Sequence, residues 1–258
     1  MSDILEELSA MRREDARLKE EALPMKELMR RVEEMKRPLD FAAAFRRTGV
    51  NVIAELKRAS PSEGMIREDF RPVELARELE SAGATALSVL CEPHRFLGSE
   101  DYLRSVRGVV GLPLLYKDFM TTSYQIAAAR AAGADAVLLI AAVLDSGRLK
   151  SLLAFAHELG MKTLVETHDE SEIDRATDCG AEIVGVNCRN LRNFDCDASL
   201  LETLVAKVPR TCLRIAESGM HTAESIRRAK AAGADGFLVG TALMRAARPG
   251  EKLKELCK

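Results

Sequence analysis

Glu55 and Lys57 stand two residues apart at the end of an apolar run, Asn51-Val52-Ile53-Ala54, and Ser60-Pro61-Ser62 follows. Residues two apart on a strand share a face, so an acid and an amine point the same way from a segment otherwise fit for burial. Such a pair suits proton transfer. It equally suits a structural ion couple, since both perturb titration alike. The same texture recurs along the chain. Apolar runs end in Cys91-Glu92-Pro93 with Phe96-Leu97-Gly98-Ser99 beyond, in Lys117-Asp118-Phe119, in Glu166-Thr167-His168, in Asn187-Cys188-Arg189-Asn190, in Glu217-Ser218-Gly219 and in Gly240-Thr241. One further run, Leu138-Leu139-Ile140, ends without charge. A single charged strand end means little, whereas six polar ends converging on one mouth make a reaction site. The glycines after Glu217 and Val239 precede helical segments, where backbone N–H groups approach and favour an anion such as phosphate. Each of those glycines alone is a turn signal.

Positioning these residues requires a repeating frame. Eight apolar runs, at 52–56, 86–90, 114–116, 136–142, 163–165, 183–186, 213–216 and 236–239, alternate with helical segments that include 72–82, 123–132, 146–159, 171–179, 199–208 and 222–232. The runs are nearly continuous in apolar character, as for parallel strands covered on both faces. Ser or Thr often stands at the helix starts, where either residue caps well. Four helices end in a small residue, Gly and Ala, with glycines 83, 133, 180 and 233 spaced by 50, 47 and 53 residues. Glycine suits the left-handed helix terminus, and each interval holds two strand–helix units of about 25 residues. The pattern predicts a (β/α)8 TIM barrel over 51–258. Its active site would lie at the C-terminal ends of the strands and its phosphate in the loops after strands 7 and 8. A doubly wound open sheet is the alternative, but its Gly-x-Gly-x-x-Gly after the first strand is missing.

Residues 1–50 read as a helical N-terminal extension packed on the barrel and bordering its mouth, the whole chain forming one domain. Ser2-Asp3 can cap the first helix, with Glu6, Glu7, Arg12, Arg13 and Lys19 on its polar face. Pro24 suits the first turn of a second helix, and Pro38 ends it. Phe41 to Phe45 forms a third, short helix.

The 258 residues carry 38 Lys and Arg against 40 Asp and Glu, a net charge of −2 that leaves no nucleic-acid footprint and no polybasic membrane patch. No apolar run reaches the roughly 18 residues of a membrane span. The charged N-terminus has no signal-peptide core, and a cytoplasmic location is expected. The six cysteines and four scattered histidines lack zinc-site spacing, and free thiols are expected.

The segments 55–62, 87–93, 117–119, 132–140, 165–168, 185–191 and 217–219 together resemble indole-3-glycerol phosphate synthase, as does the helical extension. The resemblance runs in order from residue 51 to about 245. It implies a carboxy-lyase of tryptophan biosynthesis that acts on 1-(2-carboxyphenylamino)-1-deoxyribulose 5-phosphate. A ring carbon attacks the C2 carbonyl, CO2 and water leave, and indole-3-glycerol phosphate forms. It implies no cofactor and no metal. Carried over motif by motif, Lys117 is the general acid of ring closure, its pKa lowered by Lys57 and partial desolvation. Glu166 is its partner acid or base. Glu55 and Lys57 serve dehydration. Asn187 holds sugar hydroxyls or orients Glu55, and Glu217 buttresses the lysines. Ser60 and Arg189 place the substrate carboxylate or fix loops. Ser218, Gly219, Gly240 and Thr241 hold the phosphate. Phe96, Phe119, Leu138 and Ile140 wall in the aromatic ring, although from the residues alone Phe119, Leu138 and Ile140 are plain core.

The chain departs from the family pattern at Cys91, Tyr116, Cys188 and Thr241, none of them a proposed acid or base. Two alternatives stay in view. An isomerase like phosphoribosylanthranilate isomerase would need a Cys/Asp pair where Glu55, Lys57 and Glu166 stand. A non-catalytic phosphate-binding barrel would not need Lys117 and Glu166. The expected partner is a phosphorylated small molecule, with no nucleic acid and no membrane. The oligomeric state stays open between monomer, oligomer and weak association with other enzymes of tryptophan synthesis.

Overall fold

Eight parallel strands close on themselves in chain order in the computed structural model, which describes residues 4–189 and 197–258. They are β1 (Val52–Leu56), β2 (Ala86–Leu90), β3 (Leu114–Lys117), β4 (Ala136–Ile140), β5 (Lys162–Thr167), β6 (Ile183–Asn187), β7 (Leu213–Glu217) and β8 (Gly236–Val239). Every neighbouring pair is parallel, and β1 closes on β8 with Ala54 opposite Val239. The fold is the (β/α)8 barrel that the alternation predicts. All four repeat glycines, 83, 133, 180 and 233, have φ between 92° and 110°. That is the left-handed helix terminus that glycine reaches without strain.

Strand periodicity sorts the barrel into two apolar layers. Ile53, Ala86, Leu115, Ala136, Leu164, Ile183, Ile215 and Leu238 pack together inside the barrel. Their neighbours one residue along, such as Ala54, Leu87, Val165 and Val184, join the larger core under the helices. Two residues above the inner layer the same columns carry Glu55, Lys117, Glu166, Gly185 and Glu217. The period of two that buries an isoleucine at the bottom of a strand therefore aims a charged residue into the top.

The helices around the barrel are α3 (Pro72–Ser81), α4 (Glu100–Arg107), α5 (Ser123–Ala131), α6 (Ser146–Glu158), α7 (Glu170–Asp178), α8 (Ala198–Lys207), α9 (Ala223–Ala231), the short α10 (Thr241–Met244) and α11 (Pro249–Leu256). Their caps bear out the sequence reading at Thr222 and correct it at four serines. The capping side chains belong to Ser99, Thr122, Asp145, Asp169, Asp197 and Thr222, while Ser123, Ser146, Ser171 and Ser199 lie inside the first turn. A cap needs extended backbone so that its oxygen can turn back to a first-turn N–H, and that conformation falls one or two residues earlier than the serines.

The N-terminal segment forms α1 (Ile4–Ala22), α2 (Met25–Glu33) and a 3-10 turn (Ala43–Arg46). It covers both ends of the barrel. Phe41 and Phe45, with ring centroids 5.4 Å apart, close the lower end, where Phe45 lies against Gly236 at the start of β8. Leu5 and Leu8 of α1 join the same inner cluster from the upper end. Arg12, expected on the polar face, is instead buried on the stripe with Leu5, Leu8 and Ala16. Its Nε donates to Asp118 Oδ1 at 2.9 Å and its Nη2 to Oδ2 at 2.6 Å. The 3.6-residue period puts position 12 one turn from position 8, and the buried Asp118 carboxylate supplies the partner. The proposed caps Ser2 and Asp3 lie outside the described residues, as do Asn190 and Cys196. Cys91, Cys179, Cys212 and Cys257 are free thiols, but Cys188 is disulfide-bonded, against the expectation of free thiols. Sulfur pairing depends on Cβ approach, which spacing along the chain does not give.

Candidate active site

One cavity opens at the C-terminal ends of the strands, and all of the residues proposed as catalytic or substrate-binding line it. Glu55, Lys57, Lys117, Glu166, Asn187 and Glu217 form its charged floor. Phe96, Phe119, Leu138 and Ile140 form an apolar side. Ser60, Arg189, Ser218, Gly219, Gly240 and Thr241 form the loops around the mouth.

The floor holds two groups of paired ions. Lys117 Nζ donates to Glu166 Oε2 at 2.9 Å and lies 3.4 Å from Glu217 Oε2. Lys57 Nζ meets Glu55 Oε1 at 2.9 Å. Asn187 Nδ2 donates to Glu166 Oε1 at 3.1 Å, while its Oδ1 accepts from Ser218 Oγ at 2.7 Å and from the Arg189 N–H at 3.0 Å. Asn187 therefore contacts Glu166, a partner the sequence reading did not name beside sugar hydroxyls and Glu55. Glu217 does lie against a lysine, as expected, but its Oε1 is buried without a hydrogen-bond partner among the described residues.

Two glycines make this packing possible by lacking a side chain. A Cβ on Gly185 would fall inside the contact distance of Glu217 Oε1, and one on Gly240 inside that of Glu55 Oε1. Gly240, read from the sequence as a phosphate-loop residue, thus also opens room just past β8 for the β1 glutamate. Beyond β7, Ser218 and Gly219 are consecutive left-handed residues, with φ 66° and 70°. That conformation is costly for serine.

The electrostatics split the carboxylates. Burial alone would raise Glu166, but Lys117 and His168 outweigh it and hold the group below its usual range. Burial dominates at Glu217, with Glu166 and Glu55 adding to it against Lys117, and pushes that carboxyl up to about 8. Lys117 was expected to be lowered by Lys57 and desolvation. Desolvation does act downward, but the carboxylates of Glu166, Glu217 and Glu55 outweigh it and raise the amine. Two carboxyls pushed apart around one lysine are the arrangement that lets neighbouring groups hold different protonation states at one pH.

The apolar side is fixed from behind. Glu92, fully buried, accepts from the N–H groups of His94, Arg95 and Phe96 at 2.6–2.9 Å. This holds the loop after β2 so that the Phe96 and Phe119 rings meet at 6.0 Å and 44°. The departures at Tyr116 and Cys91 point away from the cavity, into the outer core. There Tyr116 OH donates to Glu100 Oε2 at 3.3 Å.

Sequence reasoning missed two contributors. Ile4, Leu5 and Leu8 of α1 roof the cavity; the extension was expected to border the mouth, but these side chains were not singled out. His168 stands beside Glu166, with Nε2 3.3 Å from Oε1. Its position two residues after Glu166, just past the end of β5, was the available signal. Among the described residues no cluster of three His, Cys, Asp or Glu is arranged to hold a metal ion, and no helix is long and apolar enough to cross a membrane.

A closed (β/α)8 barrel with a buried acid–base floor and an apolar wall at its C-terminal mouth defines a barrel enzyme. A family model described as indole-3-glycerol phosphate synthase matches residues 5–256. The chain is 44% identical over 264 residues to the indole-3-glycerol phosphate synthase of Laribacter hongkongensis, covering 99% of each chain. It is 47% identical over 216 residues to that of Lachnoclostridium phytofermentans, covering 84% of this chain and 80% of the other. The structure of 3-hexulose-6-phosphate synthase from Salmonella typhimurium superposes with a TM-score of 0.65 at 16% identity, over 81% of this chain and 97% of that one; this likeness concerns the fold. The chain belongs to the indole-3-glycerol phosphate synthase family.

Proposed function

We propose that the cavity performs the family's ring closure on 1-(2-carboxyphenylamino)-1-deoxyribulose 5-phosphate, with loss of CO2 and water. The observation that carries the assignment is Lys117, half-buried between Glu166 and Glu217 and bordered by the Phe96–Phe119 wall. The aromatic ring of the substrate lies on that wall, where burial and stacking fix it. Its phosphate lies at the loops carrying Ser218, Gly219, Gly240 and Thr241, and Ser60 and Arg189 meet its carboxylate. As the ring carbon attacks, Lys117 delivers a proton to the C2 carbonyl oxygen, and the surrounding carboxylates keep that amine loaded with its proton across the neutral range. Decarboxylation restores the ring. Dehydration then needs an acid for the departing hydroxyl and a base for the proton that leaves as the indole forms. The Lys57–Glu55 pair supplies both, and Glu166 faces Lys117 as its acid–base partner.

Residues 1–50 act in this reading as an extension of one barrel domain, with α1 as the roof over the ring. A cytoplasmic location follows from the substrate, since a phosphorylated intermediate does not cross membranes. The decisive experiment adds substrate to purified protein and follows fluorescence. The chain has no Trp, so indole formed in the reaction is seen against a tyrosine background. A rise supports the assignment; tight substrate binding without a rise leaves a binding barrel instead.

A further inference from the structure

Glu166 has a third neighbour that the acid–base scheme does not use. His168, two residues past Glu166 and just beyond the end of β5, is largely buried between two carboxylates. Its backbone N–H donates to Glu172 Oε2 at 2.8 Å, and its Nδ1 lies 3.2 Å from the same oxygen. Glu172 stands in the first turn of α7, where its own N–H is capped by Asp169 Oδ1 at 2.9 Å. A glutamate reaching back over a helix start is an ordinary capping device, and capping alone explains the backbone contact. It does not explain the ring. With Nδ1 on Glu172, the imidazole turns Nε2 into the site, 3.3 Å from Glu166 Oε1, at ion-pair distance but off hydrogen-bond geometry. Glu172 and Glu166 are the charged groups within ion-pair distance of the ring among the described residues.

We propose that His168 is a positioning residue for Glu166: a cation carried on the Glu172 carboxylate that pins the Oε1 end of Glu166 and so fixes how its other oxygen meets Lys117. Terminal carboxylate torsions are soft and broad, so one contact at Oε2 would leave Glu166 free to turn. Asn187 and His168 together hold the other oxygen. Charge supports the same role. The ring stands between two carboxylates, Glu166 and Glu172, so an imidazolium there is paired on both sides. Burial acts against that charge, but Glu166 and Glu172 outweigh it and push the imidazole up to about 10.

This inference rests on Glu166 taking part in the reaction, and a double-mutant cycle separates the two claims. Kinetics are measured for His168→Ala, Glu166→Gln and the double variant. His168→Ala should lower kcat about 10–100-fold, the scale seen when a group orienting a functional side chain is lost. KM should move less, because no contact to substrate is removed. In the Glu166→Gln background the same change should lower kcat by less than about 2-fold, since coupled sites are not additive. The acid limb of the pH–rate profile should move to higher pH in His168→Ala, because a carboxylate deprived of its cation takes up a proton sooner. Wild-type kcat in His168→Ala overturns the proposal, as does an equal loss in both backgrounds. A fully active Glu166→Gln overturns the role of Glu166 itself, and the positioning role with it. Should His168→Ala fail to fold, Glu172→Gln carries the test, leaving every cavity residue in place; it should move kcat and the acid limb in the same direction, and an unchanged profile overturns the proposal.

Discussion

Gly185→Ala places one methyl group where the structure has no room. The new Cβ would come closer than 3.0 Å to Glu217 Oε1, and would lie 3.1 Å from both Glu217 Cδ and Leu164 Cδ1. Glu217 is 1% exposed, so its carboxylate retreats only by repacking. A retreat of about 1 Å breaks its contact with Lys117, now 3.4 Å, and misplacement of that size costs up to about 100-fold in rate. Overpacking of a filled interior costs about 1–3 kcal/mol. For a chain of this size that lowers Tm by roughly 2–12 °C. The assays are thermal unfolding by circular dichroism and steady-state indole fluorescence, each repeated with Glu217→Ala in the background. Removing the carboxylate clears the space, so Gly185→Ala should then cost under about 1 kcal/mol. Native Tm and kcat in Gly185→Ala, or the same cost with Glu217 already gone, would refute the claim that this glycine exists to seat Glu217.

Three further outcomes are expected. Lys117→Ala should lower kcat by about 10²–10⁴-fold, the range of a lost general acid, while phosphate still protects the protein against thermal unfolding; full turnover would remove Lys117 from the chemistry. Arg12→Ala leaves Asp118 buried without its cation and should destabilise the fold by about 3–5 kcal/mol, with α1 becoming the first site of limited proteolysis; an unchanged Tm would show that the pair holds nothing. Glu217, raised from 4.5 to about 8, contributes stability that is fully present below about pH 4.5 and is lost as pH rises to about 8. The Tm of the wild type relative to Glu217→Gln should therefore fall across that window, and parallel Tm curves would contradict the shift.

Much of the site was legible because a strand is a simple ruler. Glu55, Lys117, Glu166, Asn187 and Glu217 each end an apolar run, and a barrel sends the ends of all its runs to one mouth. The errors lay where burial, rather than spacing, decides. Arg12 was assigned to solvent because charge usually is; its position on the apolar stripe was visible, but its partner Asp118 lies 106 residues away. The expected lowering of Lys117 counted one neighbouring lysine and missed three carboxylates that only closure brings near. Asn187 was expected to hold sugar hydroxyls or to orient Glu55, and the β5–β6 pairing instead brings it to Glu166, a partner that spacing did not suggest.

The sequence by itself determined the eightfold alternation, the inward columns and the identity of the groups at the mouth, because periods of two and 3.6 are local and the repeat glycines punctuate them. The family followed from the same motifs in order. Tertiary structure alone decided which carboxylate meets Lys117, why Gly185 and Gly240 lack side chains, that α1 roofs the cavity, and that His168 stands between Glu166 and Glu172. Those are distances between segments far apart in the chain, set by barrel closure and by what each buried charge finds within reach, and no local period encodes them.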